Sequence, residues 1–287
     1  MRRIPAVVAL FAKPESAEAA VLRERIAAWF TERGVKARIL DSRAEAAAIA
    51  HDVQGSDLAL VVGGDGSMIA MGRKLLGLDV PILGINMGTL GFLTEVPGEH
   101  WQEHCELLLS QGFLVRERVA LALRLFRGES EVSLPSGVFP GAVNDVIFSR
   151  ATLARVINLV VHIDGQPVAR FRGDGLLVSS PVGTTGYAMS AGGVVLHPDL
   201  QALEITPVCP VLYSMRPLVA PGSAVIRITQ APPWAEVGVT VDGQDCFFLK
   251  PEECLEVRAA GRGTLFAFAE DLPYWRHLGA KGFISCP

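Results

Sequence analysis

The chain has 287 residues, half of them hydrophobic and 20% charged, with a formal net charge of -4. A chain of this length buries roughly three quarters of the surface its unfolded form exposes, and at about 150 residues per domain it suggests two domains; disorder and disulfide-dependent folding are excluded. The mild acidity, with no long run of Lys or Arg, excludes the electrostatic footprint of a protein that grips a nucleic-acid backbone.

Met1-Arg2-Arg3 followed by AVVALFA has the outline of a charged leader with an apolar centre, but Lys13 and Pro14 end it and no A-x-A cleavage site follows. A buried first strand is the better reading of so short an apolar run. A helix is expected from Ser16 to about Arg33, with Ser16 as its cap and Gly34 just past its end. VKARIL, Leu58–Val62 and residues 81–86 (PILGIN) read as further strands. Strands alternating with amphipathic stretches are the grammar of a parallel sheet covered by helices. After about Val119 the texture changes to β-branched alternation with a turn signal every ten or so residues, which is all-β grammar. Asp164-Gly165 and Asp242-Gly243 each lie between alternating runs and fit tight hairpin turns.

The expected architecture is therefore a Rossmann-like α/β domain over residues 1–120 and a β-sandwich over 121–269, with the tail from 270 to 287 packing back on the first domain. Cys105, Cys209, Cys246, Cys254 and Cys286 are odd in number and scattered without a CxxC, so they read as buried small hydrophobes in a reducing compartment. No run approaches the ~18 apolar residues of a membrane span, which makes a cytoplasmic protein without a membrane partner the expectation. The six histidines are not spaced as a metal site, and Trp29, Trp101, Trp234 and Trp275 read as packing anchors.

The chemistry concentrates in two segments. In residues 58–69 (LALVVGGDGSMI) a buried strand runs through Gly63-Gly64-Asp65-Gly66-Ser67 into a helix, so backbone amides can approach an anion. The pattern is neither a P-loop nor a dinucleotide fingerprint, because Ile69 stands where a third glycine would be. A carboxylate inside a phosphate-seeking loop is either an Asx-type turn and helix cap or a general base or metal-orienting group beside a bound phosphate. Arg73 and Lys74, one helical turn on, either reach such a phosphate or lie on a solvated face. The second segment, residues 171–193 (FRGDGLLVSSPVGTTGYAMSAGG), reads as a surface Ω-loop or as a cradle for a ribose or phosphate. Asn144-Asp145 is a turn dipeptide or a donor-acceptor pair suited to vicinal hydroxyls or an adenine edge.

Together with LGINMGTLGFLTEV (83–96), NDVIF (144–148), CPVLYSMRPLV (209–219) and VTVDGQ (239–244), in this order and spacing, these segments resemble the bacterial NAD kinases over nearly the whole chain. GGDG by itself is shared with diacylglycerol, sphingosine and 6-phosphofructokinases; the glycine-threonine segment is the specific part. The resemblance implies transfer of the γ-phosphoryl group of ATP to the 2′-hydroxyl of the adenosine ribose of NAD, giving NADP, with a divalent cation, Mg2+, as cofactor. Inorganic polyphosphate is an alternative donor that the motifs do not separate from ATP. Asp65 then falls on the family's catalytic base, with Gly63, Gly64, Gly66, Ser67 and Arg73 toward the ATP phosphates and Asp65 and Gly66 also beside NAD. Asn144 and Asp145 fall on the pair that contacts NAD. Asp174, Thr185, Tyr187 and Ser190, with Gly186, Ala188 and Met189 in the same stretch, fall on its adenine and nicotinamide pockets. Phe92 is placed near the adenine, Arg155 and Arg172 reach the substrate, and Gln244 adds a contact. A homodimer or homotetramer is implied, since in the family these pockets are completed between subunits.

The chain departs from the family pattern at Val211 and Leu212, where relatives carry His and then Ser or Thr, at Ser67 in place of Thr, at the variable Thr89 and at Gly186 in place of a frequent Ala. The alternatives are a non-catalytic NAD(P)-binding regulator and a lipid or sugar kinase sharing GGDG.

Overall fold

The apolar run after Pro5 folds as β1 (Val7–Ala12), fully buried from Val8 onward. The structure is a computed structural model that describes residues 2–88, 91–152, 155–211, 215–270 and 274–284, so Thr89, Leu212 and Cys286 lie outside the described residues, as does the side chain of His277. Ser16 caps α1 (Ala17–Glu32), its hydroxyl accepting the Ala19 N–H at 3.2 Å, and Gly34 turns the chain away at φ 79°. Ala19, Leu22, Ile26 and Phe30, three or four residues apart, form the buried stripe of this helix. There follow β2 (Lys36–Ile39), α2 (Ala46–Asp52), β3 (Leu58–Gly63), α3 (Asp65–Lys74), β4 (Ile82–Asn86), β5 (Val96–Pro97), α4 (Trp101–Ser110) and β6 (Leu114–Arg118). β3 and β4 are buried at every position, as strands covered on both faces must be.

Beyond this the chain is antiparallel. β7 (Leu121–Arg127), β8 (Ser130–Val132), β9 (Gly141–Ala142), β11 (Ile157–Ile163), β12 (Gln166–Gly173), β16 (Ile226–Gln230) and β19 (Glu253–Ala259) make one sheet, in the order β12-β11-β16-β19-β7-β8 with β9 also on β7. The other holds β10 (Asp145–Arg150), β13 (Gly175–Ser179), β14 (Ala202–Val208), β15 (Leu218–Pro221), β17 (Val237–Val241) and β18 (Asp245–Leu249), in the order β15-β14-β13-β10-β17-β18. Phe148, Leu176, Val178 and Val239 of one sheet and Leu159, Phe171, Ile228 and Leu255 of the other share a single buried core. Both hairpin signals are realised: Asp164 and Gly165 have φ 50° and 79°, and Asp242 and Gly243 have φ 53° and 64°.

The chain then returns to the first sheet through β20 (Thr264–Phe268), which pairs parallel with β4, and ends in α6 (Tyr274–Ala280). The first sheet thus reads β2-β1-β3-β4-β20-β6, with β5 also on β4. Two compact units result, Met1–Glu117 with Thr264–Pro287, and Arg118–Gly263. Among the described residues no helix is long and apolar enough to cross a membrane.

Several expectations need correction. Cys105 is buried, but Cys209 and Cys246 are exposed, because Cys246 takes an outward position on the edge strand β18 and Cys209 sits at φ 45° just past the end of β14. Trp29 and Trp101 pack edge to face at 5.9 Å in the core of the first unit, whereas Trp234 and Trp275 are exposed. α4 is an element beyond those expected; its buried Trp101, Cys105 and Leu108 carry the helical spacing that marks it.

Candidate active site

In the first unit, β3 delivers the chain to Gly63 and α3 begins at Asp65, with Gly64 in extended conformation as its cap. The Ser67 and Met68 N–H groups donate to the Gly64 carbonyl at 2.9 and 3.1 Å, starting the helix. The turn must be glycine-rich for packing reasons as well: a Cβ on Gly63 would come within 2.7 Å of the Ser67 Cβ. A helix N-terminus presented by such a turn is an anion site in waiting.

Asp65 points from this turn into residues 91–94. Its Oδ2 accepts the Phe92 N–H at 2.7 Å, and its Oδ1 accepts the Leu93 and Thr94 N–H groups and the Thr94 hydroxyl, each at 3.1 Å. Gly91 is obligatory beside it, since a Cβ there would overlap the carboxylate. The Thr94 oxygen is itself placed by Asn86 at the end of β4, whose Nδ2 donates to it at 2.6 Å, and by the Gly91 N–H at 3.1 Å. An ionised carboxylate has about four lone-pair sites. Three donors crowd Oδ1 and one reaches Oδ2 among the described residues, so Oδ2 retains an open acceptor position. Asn86 and Thr94, which hold this carboxylate in place, stand outside the expected site residues; their signal was membership of the LGINMGTLGFLTEV stretch. Arg73 is buried, not on a solvated face. Lys74 donates to the Ser42 and Ala44 carbonyls at 2.8 and 2.9 Å, and its ammonium is pulled below the usual lysine range by burial.

In the second unit, Asp242 organises the entry to β10. Its carboxylate accepts three successive N–H groups, from Val143 at 2.7 Å, Asn144 at 2.8 Å and Asp145 at 3.0 Å. Beside it the nearly enclosed Asp145 carboxyl is pushed up to about 7, by burial first and by the Asp242 charge second. Asn144 Oδ1 is buried and has no hydrogen-bond partner among the described residues, an acceptor that needs a donor. Gly183 packs on the Asn144 backbone so tightly that a Cβ would lie 2.7 Å from its Cα. Gly183 lies in a 3₁₀ turn, Val182–Thr185, with α5 (Tyr187–Ser190) after it. Thr185 donates back to the Val182 carbonyl at 3.2 Å, and Gly186 breaks the chain between the two helical turns. Tyr187 and Ser190 are exposed and Met189 is half-buried. Ala188 is fully buried, with its carbonyl already accepting the Ala191 and Gly193 N–H groups. Fully buried Glu204 on β14 holds the following loop by accepting the Val194 N–H at 2.6 Å, and burial pushes its carboxyl upward. Its signal was an acidic residue inside the apolar run of β14.

The second unit does not gather all its candidates at one point. Asn144, Asp145, Gly186 and the exposed Gln244 of the β17–β18 connection lie at the start of β10. Asp174, ion-paired with Arg150 at 3.1 Å, stands at the other end of β10 and β13, because Asp145 pairs with Ser179 and Ser149 with Gly175. At about 3.3 Å per residue the two ends are roughly 15 Å apart. Exposed Arg172 on β12 and exposed Arg155 just before β11 share the end marked by Asp174. Among the described residues no group of three or more His, Cys, Asp or Glu side chains is arranged to hold a metal ion.

Residues 30–113 match the ATP-NAD kinase N-terminal domain and residues 143–267 the ATP-NAD kinase C-terminal domain. An NAD kinase from Nitratidesulfovibrio vulgaris strain Miyazaki F is 44% identical over 268 residues, 93% of each chain. The chain belongs to the NAD kinase family. A more distant member from Geotalea daltonii is 33% identical over 280 residues, 96% of this chain and 97% of its own. Among solved structures, yeast NADH kinase complexed with NADH superposes with a TM-score of 0.84 at 24% identity, covering 99% of this chain and 89% of the yeast one. An Archaeoglobus fulgidus NAD kinase in complex with ATP gives 0.76 at 22% identity, covering 96% and 98%. These two likenesses establish a shared fold.

Proposed function

We propose that this chain is an ATP-dependent NAD kinase that transfers the γ-phosphoryl group of ATP to the 2′-hydroxyl of the adenosine ribose of NAD, producing NADP and ADP. Kinship supports the reaction, and the observation that supports its chemistry is the Asp65 carboxylate, fixed at the head of α3 with a lone pair on Oδ2. In this reading Asp65 takes the 2′-hydroxyl proton as that oxygen forms a bond to Pγ and the bond from Pγ to the β–γ bridging oxygen breaks. Phosphoryl transfer demands positioning and charge stabilisation more than covalent participation by the protein. The Gly63–Ser67 turn supplies amides at a helix N-terminus for the phosphates. The divalent cation arrives with the ATP phosphates as part of the substrate, and inorganic polyphosphate presents the same chain of anionic oxygens.

Asn144 and Asp145 serve the adenosine half of NAD. The unpartnered Asn144 Oδ1 accepts a hydrogen bond, and the Asp145 carboxyl, titrating near neutrality, gives or takes one. Tyr187 and Phe92 offer aromatic faces to a base, and Gln244 a further polar contact. Arg155, Arg172 and Asp174, at the other end of the sandwich strands, serve the rest of the dinucleotide in a homodimer or homotetramer. We place the enzyme in the cytoplasm, where free exposed thiols such as Cys209 and Cys246 stay reduced. A lipid or sugar kinase sharing only GGDG leaves the match over residues 143–267 without an account.

The test is NADP formation from NAD and ATP with Mg2+, read by an NADP-specific dehydrogenase, with Asp65→Asn alongside. The parent is expected to turn over and the variant to lose about 10²–10⁴-fold in kcat while still binding NAD. A parent that binds NAD without making NADP is a regulator, and an Asp65→Asn protein with unchanged kcat removes Asp65 as the base.

A further inference from the structure

The C-terminal segment makes a contact that none of the motifs explains. α6 ends in two nested hydrogen bonds, from the Gly282 N–H to the Gly279 carbonyl at 2.9 Å and from the Phe283 N–H to the Leu278 carbonyl at 3.0 Å, with Gly282 at φ 75°. This is the Schellman arrangement, which reverses the chain at a left-handed glycine and fixes the residue after it. The side chain so fixed is Phe283, which meets the Phe92 ring edge to face, with centroids 4.8 Å apart and planes at 88°. Lys281 lies over the same ring, its Nζ 5.9 Å from the centroid. Leu278 anchors the turn from below, buried.

Phe92 is therefore held from both ends. Its ring is gripped by the C-terminal turn, and its N–H donates to Asp65 Oδ2 at 2.7 Å. Residues 91–94 belong to no helix or strand, so no ladder of backbone hydrogen bonds sets where their amides stand. Among the described residues, side-chain contacts hold them at two points: Thr94 to Asn86 on one side, Phe92 to Phe283 on the other. We propose that Phe283 is a positioning residue for phosphoryl transfer, which acts through Phe92 to hold the amides that aim the Asp65 carboxylate. This rests on Asp65 being the base. Its consequence is that a change 39 residues from the nearest motif, in a segment the reaction chemistry does not touch, alters the chemical step without altering phosphate binding.

Steady-state kinetics with NAD and ATP varied, together with thermal melts, test this on Phe283→Ala, Phe283→Tyr and Gly282→Ala, with Asp65→Asn as the reference. Phe283→Ala is expected to lower kcat about tenfold or more while leaving KM for ATP within about twofold. Phe283→Tyr keeps the aromatic edge and is expected to restore kcat. Gly282→Ala strains the turn where a Cβ meets nothing within 4 Å, so it displaces Phe283 without a clash and is expected to lower kcat in the same way. It decides the matter if Phe283→Ala does not fold. A kcat within about twofold of the parent in these two variants, a loss confined to KM for NAD, or a loss that Tyr does not repair overturns the proposal. If Asp65→Asn keeps full activity it is the base assignment that has failed; if Asp65→Asn is inactive and Phe283→Ala is not, the positioning role alone has failed.

Discussion

Asp145 illustrates what a single buried residue contributes and when. Its carboxyl is pushed from 3.8 up to about 7, so the folded chain binds a proton that the unfolded chain would release. The sign follows from linkage: a raised folded-state value gives stability that is complete below about pH 3.8 and lost as the pH rises through about 7. The group lowers stability by up to about 1.4 kcal/mol per pH unit across that window. Asp145→Asn removes the titration and keeps the shape. Urea midpoints measured at pH 5, 6, 7 and 8 are expected to fall more steeply for the parent than for the variant, and parallel curves would refute the assignment. Asp242 is the source of the second push, and three successive N–H groups converge on its side chain.

Elements here are held by local chemistry that can be tested locally. The β11–β12 hairpin turns on Asp164 and Gly165, both left-handed, and a Cβ on Gly165 at φ 79° would meet nothing within 4 Å. Gly165→Ala therefore measures backbone strain without a packing change. It is expected to cost about 1–2 kcal/mol of unfolding free energy, read from denaturant midpoints, with kcat unchanged. A neutral result would mean that the turn relaxes to another geometry. The GGDG turn differs in kind. Gly63 is required by the Ser67 side chain and Gly91 by the Asp65 carboxylate, so these glycines answer to neighbouring atoms and not to a positive φ.

For the whole molecule, the proposed homodimer or homotetramer would let Asn144–Asp145 and the group Arg155, Arg172 and Asp174, set apart along β10 and β13, serve different subunits' substrates. Light scattering coupled to size exclusion is expected to return twice or four times the 30.7 kDa chain mass. A fully active monomer would show that these residues are not shared between subunits. The connectivity has its own consequence: β20 enters the first sheet between β4 and β6 only after the entire sandwich has been made, so that sheet is completed by the last strand of the chain.

The sequence by itself determined the class of both layers, because strand and helix periodicity, the Ser16 cap and the two Asp-Gly turns are set by residues adjacent along the chain. It also carried the family and the position of Asp65, since a strand-turn-helix junction is a local device. It did not determine what each side chain meets. The donors to Asp65 come from 27 to 29 residues away and those to Asp242 from 97 to 99. The exposure of Trp234 and Cys246, the burial of Arg73 and the contact of Phe283 with Phe92 are equally non-local. Tertiary structure decided these because hydrogen bonds and packing depend on distance in space, whereas composition and periodicity record only neighbours in the chain.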